Sequence, residues 1–311
     1  MIAFSTPATA TKWNRWLVYS PGARIAIFIG LFAGMMFLLS LVFATLGWDG
    51  KQAPQPERSI GIFLRQLVPG LFAYLFLVYV IERRKPVELA WRKVVPDGLL
   101  GSILGVLFIG SVVGVLWLAG SYQVTGTNPQ FDWLRPLLLT GLGAAIAEEI
   151  IFRGVLFRIS EEGLGTWWAL AISAIFFGGV HIMNKGATVW SSIAIAVEAG
   201  VLLGLAYNVT RSLPLVMGIH MTWNFTQGAI FGIPVSGTSA SGYLVSTRPG
   251  PEWLSGGGFG AEASVVAVLI SIVASAWLVM LARRKGTIYV RRWGKSGARP
   301  DVATPGEGAP C

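Results

Sequence analysis

Residues 137–157 read LLLTGLGAAIAEEIIFRGVLF, an apolar run that carries charge only at Glu148, Glu149 and Arg153. The run matches the length of about 20 residues that an α-helix needs to cross a bilayer. A charged side chain at the bilayer centre costs about 2.5–3.5 kcal/mol on insertion scales, so charged residues there are rare and usually functional. This stretch therefore predicts a transmembrane helix that carries part of a functional site.

The rest of the chain has the composition of a membrane protein. Of its 311 residues, 54% are hydrophobic and 13% are charged, whereas about 25% of the residues in a soluble domain are charged. The net charge is +9, but the basic residues cluster at the ends of apolar runs, as topology signals do. These features predict a multi-pass protein whose partner is the lipid bilayer, and they exclude a nucleic-acid-binding protein.

Eight apolar runs are long enough to be spans, so the expected fold is all-α, a polytopic membrane helix bundle over residues 25–282. A polar segment, 1–24, precedes the bundle, and a basic tail rich in Gly and Pro, 283–311, follows it and is expected to be disordered. A Gly- and Ser-rich loop, 234–262, separates the last two spans, and loops this long are often functional. The predicted spans are 25–47, 60–81, 98–120, 136–159, 165–183, 187–207, 213–233 and 263–282.

Eight spans place both termini on one side of the membrane. With cytoplasmic termini, all but six of the 24 basic residues lie on the cytoplasmic side. Cytoplasmic segments carry an excess of Lys and Arg, so we expect an N-in/C-in protein of the plasma membrane of a prokaryote. The six outer basic residues are Lys51, Arg58, Arg65, Arg135, Lys185 and Arg248.

The two acids of the opening stretch are expected to have different roles. Glu149 and Arg153 are four residues apart, so they share a helix face and can form an ion pair. Glu148 lies about 100° round the helix and is free to point into a cavity, where a carboxylate can act as a general base toward water. The alternative is that the acids and the arginine only hold packed helices together.

The only two histidines, His181 and His220, both lie within predicted spans. Asn224 follows His220 by four residues and shares its helix face. Polar groups in lipid must find each other or water, so these side chains and the acids are expected to converge on one cavity. The glycine pair before His181, Gly178-Gly179, permits a close helix approach or a break. Taken alone, each histidine is also compatible with a hydrogen-bonded packing role.

Two chemistries fit this set of side chains. Glu148, His181, His220 and Asn224 could hold a Zn²⁺ ion that activates water. Alternatively, Glu148 and His181 activate water without a metal, and His220 and Asn224 stabilise the oxyanion of a tetrahedral intermediate. Neither the helical zinc-protease motif HExxH nor the serine-hydrolase motif GxSxG occurs in the chain.

Three spaced motifs between about residues 135 and 232 resemble the signature motifs of a known family of intramembrane endopeptidases. This is the CAAX-protease and bacteriocin-processing family, also called CPBP or Abi, which includes enzymes of the CAAX prenyl protease 2 (Ras-converting enzyme) type. The motifs are Glu148-Glu149-x-x-x-Arg153, Phe177-x-x-x-His181 and His220-x-x-x-Asn224.

The resemblance implies an eight-helix bundle with its catalytic core at about residues 135–232 and a cavity open toward the cytosol. It implies Glu148 as the water-activating base, assisted by His181, with His220 and Asn224 at the oxyanion. It also implies that Glu149 and Arg153 support the site. Members have been described both as metalloproteases and as metal-independent glutamate proteases, so both alternatives stay open.

The implied substrate is a membrane-associated or lipidated protein or peptide. Two other functions are compatible with the polar cluster: a non-catalytic scaffold or immunity factor, and an ion-coupled transporter. Transporters often contain internal repeats, and none is found here. Glu198, a further acid inside a span, is expected to face the membrane or to form an interhelical ion pair with Arg211 or Lys185.

Overall fold

The computed structural model describes residues 4–48, 53–239 and 241–290, and residues 291–311 of the predicted 283–311 tail lie outside this range. Ten helices, each taken as one where α- and π-helical turns are continuous, and two short strands follow one another along the described chain, besides two 3₁₀ turns at Val87–Leu89 and Ala261–Ala263. The helices are α1 (Lys12–Leu17), α2 (Pro21–Thr45), α3 (Gln55–Ile81), α4 (Trp91–Leu118), α5 (134–164), α6 (Thr166–His181), α7 (Val189–Thr210), α8 (213–230), α9 (Glu252–Ser255) and α10 (Val265–Arg284).

Among the described residues, five helices are long and apolar enough to cross a membrane, namely α2, α3, α4, α7 and α10. The predicted all-α membrane bundle is therefore confirmed. The three other predicted spans correspond to α5, α6 and α8, which pack with these five. They differ from a plain span because α5 carries three charged residues within its apolar stretch, α6 has only 16 residues, and α8 carries the polar residues His220, Asn224 and Gln227.

Glycines set the closest helix crossings. A methyl group at Gly101 of α4 would lie 2.1 Å from the carbonyl oxygen of Leu215 on α8. At Gly105, one turn further along α4, it would lie 2.3 Å from the carbonyl oxygen of Ile219. Contacts this short exclude any side chain, so α4 and α8 approach through their backbones, as helices in membranes often do.

The second close crossing joins α6 and α7. It shows whether the glycine pair Gly178-Gly179 permits a close helix approach or breaks the helix. A methyl group at Gly178 would lie 2.4 Å from the carbonyl oxygen of Ser192 on α7. Helix α6 continues without a break through Gly178 and Gly179 to His181. Gly178 therefore serves the helix approach, whereas a methyl group at Gly179 would meet nothing within 4 Å, and the alternative of a helix break is wrong.

One end of the bundle holds a network of mostly buried ion pairs. Arg24 Nη1 and Arg158 Nη2 lie 2.7 and 2.9 Å from the same carboxylate oxygen of Glu82. The network also ties in the segment after the bundle, because Tyr289 N donates to Thr166 Oγ1. We call this end the network face. The network consists of Arg24, Glu82, Arg84, Glu88, Arg158, Glu161, Glu162 and Arg211.

The opposite end carries a small antiparallel sheet of β1 (Gln123–Thr127) and β2 (Leu244–Thr247), with an irregularity in β1 between Val124 and Gly126. Tyr122 Oη donates to the carbonyl oxygen of Phe231 beside it. The all-α prediction missed this sheet, because neither QVTGT nor LVST alternates apolar and polar residues as a half-buried strand does. The predicted 234–262 loop thus contains β2 and α9.

Candidate active site

A cavity of about 400 Å³ lies at the end of the bundle opposite the network face. We call this end the cavity face. Helices α3, α5, α6 and α8 supply its walls, and the backbone segment 235–238 supplies its rim. All three predicted motifs contribute to the cavity wall, through Glu148, His181, His220 and Asn224.

Glu148 and His181 lie at the same depth because their helices form one hairpin. Helix α5 extends to Leu164 instead of ending at the predicted Ile159, so Glu148 precedes this end by sixteen residues. His181 follows the start of α6, Thr166, by fifteen residues. At 1.5 Å per residue both side chains are roughly 22–24 Å from the turn. Only Gly165, with φ +87°, separates the two helices.

The carboxylate of Glu148 faces both histidine rings. Its Oε2 atom lies 3.9 Å from His220 Nε2 and 4.0 Å from His181 Nε2. Its side chain is 28% exposed, against 10% for His181 and 9% for His220. The separations exceed a direct hydrogen bond and leave room for one water molecule to bridge the three groups.

The partners of the other ring nitrogens define the histidine tautomers. His181 Nδ1 lies 2.7 Å from the carbonyl oxygen of Phe177, and His220 Nδ1 lies 2.9 Å from Glu149 Oε1. Both oxygens are acceptors, so both Nδ1 atoms carry the proton. In its neutral form, His181 therefore presents an Nε2 lone pair toward Glu148.

Glu149 and Arg153 form a fully buried pair behind the cavity wall. Arg153 Nη1 donates to Glu149 Oε1 at 2.8 Å, and both side chains are 0% exposed. The guanidinium also donates to the carbonyl oxygen of Ala199 on α7 and stacks 4.8 Å above the ring of Phe177 on α6. The pair thereby fixes α5 against α6, α7 and, through His220, α8.

Asn224 lies beside the other site residues but is held by a different partner. Its Nδ2 atom donates to the carbonyl oxygen of Thr140 at 3.0 Å. A primary amide nitrogen carries two hydrogens, so one N–H of this group can still reach into the cavity. The structure thus brings together all six residues that were predicted to form the site.

The donor atoms are arranged poorly for zinc. Two ligands of a tetrahedral zinc ion, each about 2.0–2.2 Å from the metal, are about 3.4 Å apart. The distances from Glu148 Oε2 to the two histidine Nε2 atoms are longer, at 3.9 and 4.0 Å. Across residues 4–48, 53–239 and 241–290, no three His, Cys, Asp or Glu side chains form a group that could hold a metal ion. In this geometry, the four predicted ligands do not fit a zinc ion.

Glu262 is a part of the site that the sequence analysis did not single out. Its carboxylate accepts hydrogen bonds from the backbone N–H and the hydroxyl of Ser236, both at 2.5 Å, and from Gln227 Nε2. Burial raises its pKa to about 7, although these hydrogen bonds oppose the shift. Glu262 thus fastens the cavity rim to α8. Its position at a loop end carried no signal of this contact.

Glu198 does not have the partners that were predicted. It is 1% exposed, so it does not face the membrane, and its carboxylate oxygens have no hydrogen-bond partner among the described residues. Arg211 pairs with Glu161 instead, at 2.5 Å. Lys185 lies at the rim of the main cavity. Glu198 and Glu262 both line a smaller cavity of about 30 Å³ behind the histidines.

Comparison with known protein families gives a match over the part of the chain that contains the three motifs. Residues 130–226 match the family model described as type II CAAX prenyl endopeptidase, Rce1-like. The match covers about a third of the chain and includes all three motifs, and it confirms the resemblance to CAAX proteases. No curated protein and no solved structure matches the chain. The match supports an integral membrane protease that acts on a membrane-associated substrate.

Proposed function

We propose that the chain is an intramembrane endopeptidase that hydrolyses a peptide bond of a membrane-associated or lipidated protein or peptide. One observation carries the proposal: within a membrane helix bundle, Glu148 Oε2 faces the Nε2 atoms of both histidines across a cavity of about 400 Å³. A carboxylate and a histidine so placed can hold and activate one water molecule.

In the first step, Glu148 takes a proton from the water, and the Nε2 lone pair of His181 accepts the second hydrogen bond and orients it. The water oxygen attacks the carbonyl carbon of the scissile peptide bond. The hydrogen bond from His181 Nδ1 to Phe177 keeps the ring in the tautomer that this step needs. No step of this proposed reaction uses a metal ion.

The tetrahedral intermediate carries a negative charge on the former carbonyl oxygen. His220 in its imidazolium form and Asn224 donate hydrogen bonds to this oxyanion. Glu149 favours the imidazolium because its negatively charged carboxylate accepts a hydrogen bond from the Nδ1–H group, and Arg153 balances the charge of Glu149. Fixed donors in a site shielded from bulk water give the largest stabilisation.

In the last step, Glu148 returns its proton to the nitrogen of the leaving amine and the carbon–nitrogen bond breaks. The products are a carboxylic acid and an amine, and the acid then gives its proton to the amine or to solvent. General acid–base catalysis of this kind contributes about 10²–10⁴-fold to the rate. Glu148 is thus base and acid in turn.

The test compares the new protein N-termini that appear in membranes of cells expressing the wild type, Glu148→Gln and Glu252→Gln at equal abundance. Glu252 is an exposed carboxylate at the start of α9 and serves as the matched control. We expect a set of termini that depends on the wild type and on Glu252→Gln but disappears with Glu148→Gln. Identical sets in all three strains would contradict a protease and favour a scaffold.

A further inference from the structure

The candidate site opens at one particular end of the bundle. Its rim consists of Asn184 and Lys185, after α6, and of the segment 235–238, after α8. Asn184 Nδ2 donates to the carbonyl oxygen of Ser236, which joins the two parts of the rim. The ends of α6 and α8 therefore define the side of the membrane from which a peptide enters.

The two described chain ends lie at the opposite end. Phe4 packs under the guanidinium of Arg24, which belongs to the network face. At the other end of the described chain, Thr287 and Tyr289 form hydrogen bonds with Asn208 and Thr166. The cavity and both described ends are thus on opposite sides of the bundle, so cytoplasmic termini and a cavity open to the cytosol exclude each other.

The distribution of basic residues favours one of these two arrangements. Of the 19 Lys and Arg residues within the described ranges, 13 lie at or near the network face, Arg153 lies inside the bundle, and only five lie toward the cavity face. The count of basic residues near helix ends sets orientation, and acidic residues contribute little to it. The five are Arg58, Arg65, Arg135, Lys185 and Arg248.

Neither of the two cavities described above is lined by a residue of the network. Between Glu148 and the network face lie the fully buried pair of Glu149 and Arg153 and then the buried pair of Arg158 and Glu82. A peptide that entered from this end would have to separate both pairs, and each separation would leave a buried charge without its partner.

We infer that the cavity opens on the non-cytoplasmic side of the membrane and takes a segment of an exported or membrane-anchored protein exposed there. This substrate class rests on the proposed peptidase function, whereas the direction of opening rests only on the position of the cavity and on the charge distribution. A lipidated protein that stays in the cytosol would not reach Glu148. This inference replaces the cavity open to the cytosol that the family resemblance implies.

Single-cysteine labelling tests the inference directly. The chain contains one cysteine, Cys311, so Cys311→Ser gives a full-length protein free of cysteine. Lys185→Cys then places a thiol at the cavity rim, and Lys85→Cys places a matched thiol in the exposed turn at the network face. A membrane-impermeant maleimide is added to intact cells and, separately, to permeabilised cells, and labelling is normalised to that of the denatured protein.

We expect Lys185→Cys to be labelled in intact cells and Lys85→Cys to be labelled only after permeabilisation. The reverse pattern, or equal labelling of the two in intact cells, would overturn the inference. The labelling needs no enzymatic activity, so it is repeated in the Glu148→Gln background and should be the same there. If no cleavage is found while this pattern holds, the peptidase proposal fails alone; if cleavage is found with the reverse pattern, only the orientation fails.

Discussion

Glu149 Oε1 lies 2.9 Å from His220 Nδ1, on the side of the ring that faces away from Glu148. The neighbouring Glu148 and Glu149 therefore lie opposite the two nitrogen atoms of the same His220 ring. One of them is buried and paired with Arg153, and the other is partly open to the cavity. This difference predicts that conservative substitutions of the two acids have different effects.

Glu148→Gln should abolish cleavage and leave the fold intact. The amide keeps the shape of the side chain but cannot accept the proton of the attacking water, so the cleavage rate should fall by about 10²–10⁴-fold. The measurement combines the rate of substrate cleavage with the thermal unfolding of the purified protein. A variant that keeps more than a tenth of the wild-type rate would remove Glu148 from the role of base.

Glu149→Gln should reduce stability as well as activity. It leaves the buried guanidinium of Arg153 without its carboxylate, and removing one partner of a buried pair costs about 3–5 kcal/mol. The melting temperature should therefore fall clearly below that of Glu148→Gln. An unchanged melting temperature would show that Arg153 finds full compensation in the carbonyl groups of α7.

Gly101→Ala should weaken the α4–α8 crossing, because its new methyl group would lie 2.1 Å from the carbonyl oxygen of Leu215. Overpacking of this kind costs about 1–3 kcal/mol or more. Gly110→Ala on the same helix is the matched control, since a methyl group there meets no described atom within 4 Å. The control should be as stable as the wild type. Equal melting temperatures for both variants would contradict the crossing described above.

Removal of divalent metals should leave activity unchanged. The distances from Glu148 to the two histidines are too long for a tetrahedral zinc site, and the proposed steps need only the protein groups and water. The cleavage rate is measured before and after treatment with a strong zinc chelator, together with the metal content of the protein. Loss of activity that zinc restores would instead make the histidines metal ligands.

Stability should depend on pH through Glu262. Burial holds its pKa at about 7 in the folded protein, against an ordinary value of 4.5. Between these values the folded state binds more protons than the unfolded state, so the free energy of unfolding decreases as pH rises from about 5 to 7. The limiting slope is about 1.4 kcal/mol per pH unit. Thermal unfolding should show this slope in the wild type and in Glu252→Gln but not in Glu262→Gln.

Glu82 and Glu88 of the network face act in the opposite sense and in a different pH range, because the pKa of each is held below its ordinary value. Burial tends to raise the pKa of Glu82, but Arg158, Arg84 and Arg24 outweigh it and hold the pKa below its ordinary value. Their contribution is complete above about pH 4.5 and is lost in more acidic solution. It therefore does not mask the effect of Glu262. A slope in Glu262→Gln equal to that of the wild type would assign the pH dependence to another group.

Contacts within a helix were accessible from the sequence because helix geometry determines them. A spacing of four residues is sufficient to bring Glu149 and Arg153 together, and apolar length is sufficient to mark most of the bundle. Contacts between distant segments were not accessible. Gln227 and Glu262 are 35 residues apart and Arg24 and Glu82 are 58 apart, and a spacing of this size indicates neither the partner nor the end of the bundle at which they meet.

Helix ends were the other feature that could not be predicted. The extension of α5 to Leu164 depends on contacts such as the hydrogen bond of Thr166 with Glu161 and the ion pair of Arg211 with Glu161. Each of these side chains alone is typical of a polar loop. The predicted end at Ile159 would place Glu148 closer to the turn than His181, and the extension to Leu164 removes this difference.

The turn at Gly165 fixes how far Glu148 and His181 lie from one end of the bundle, because a continuous helix joins it to each of them. Glu148 and His181 are placed by counting residues outward along its two arms, and neither arm has a loop that could absorb an error. One residue inserted in an arm would rotate its catalytic group by about 100° and move it by about 1.5 Å. Length changes during evolution should therefore be rare between residues 148 and 181 and frequent in the loops at either end.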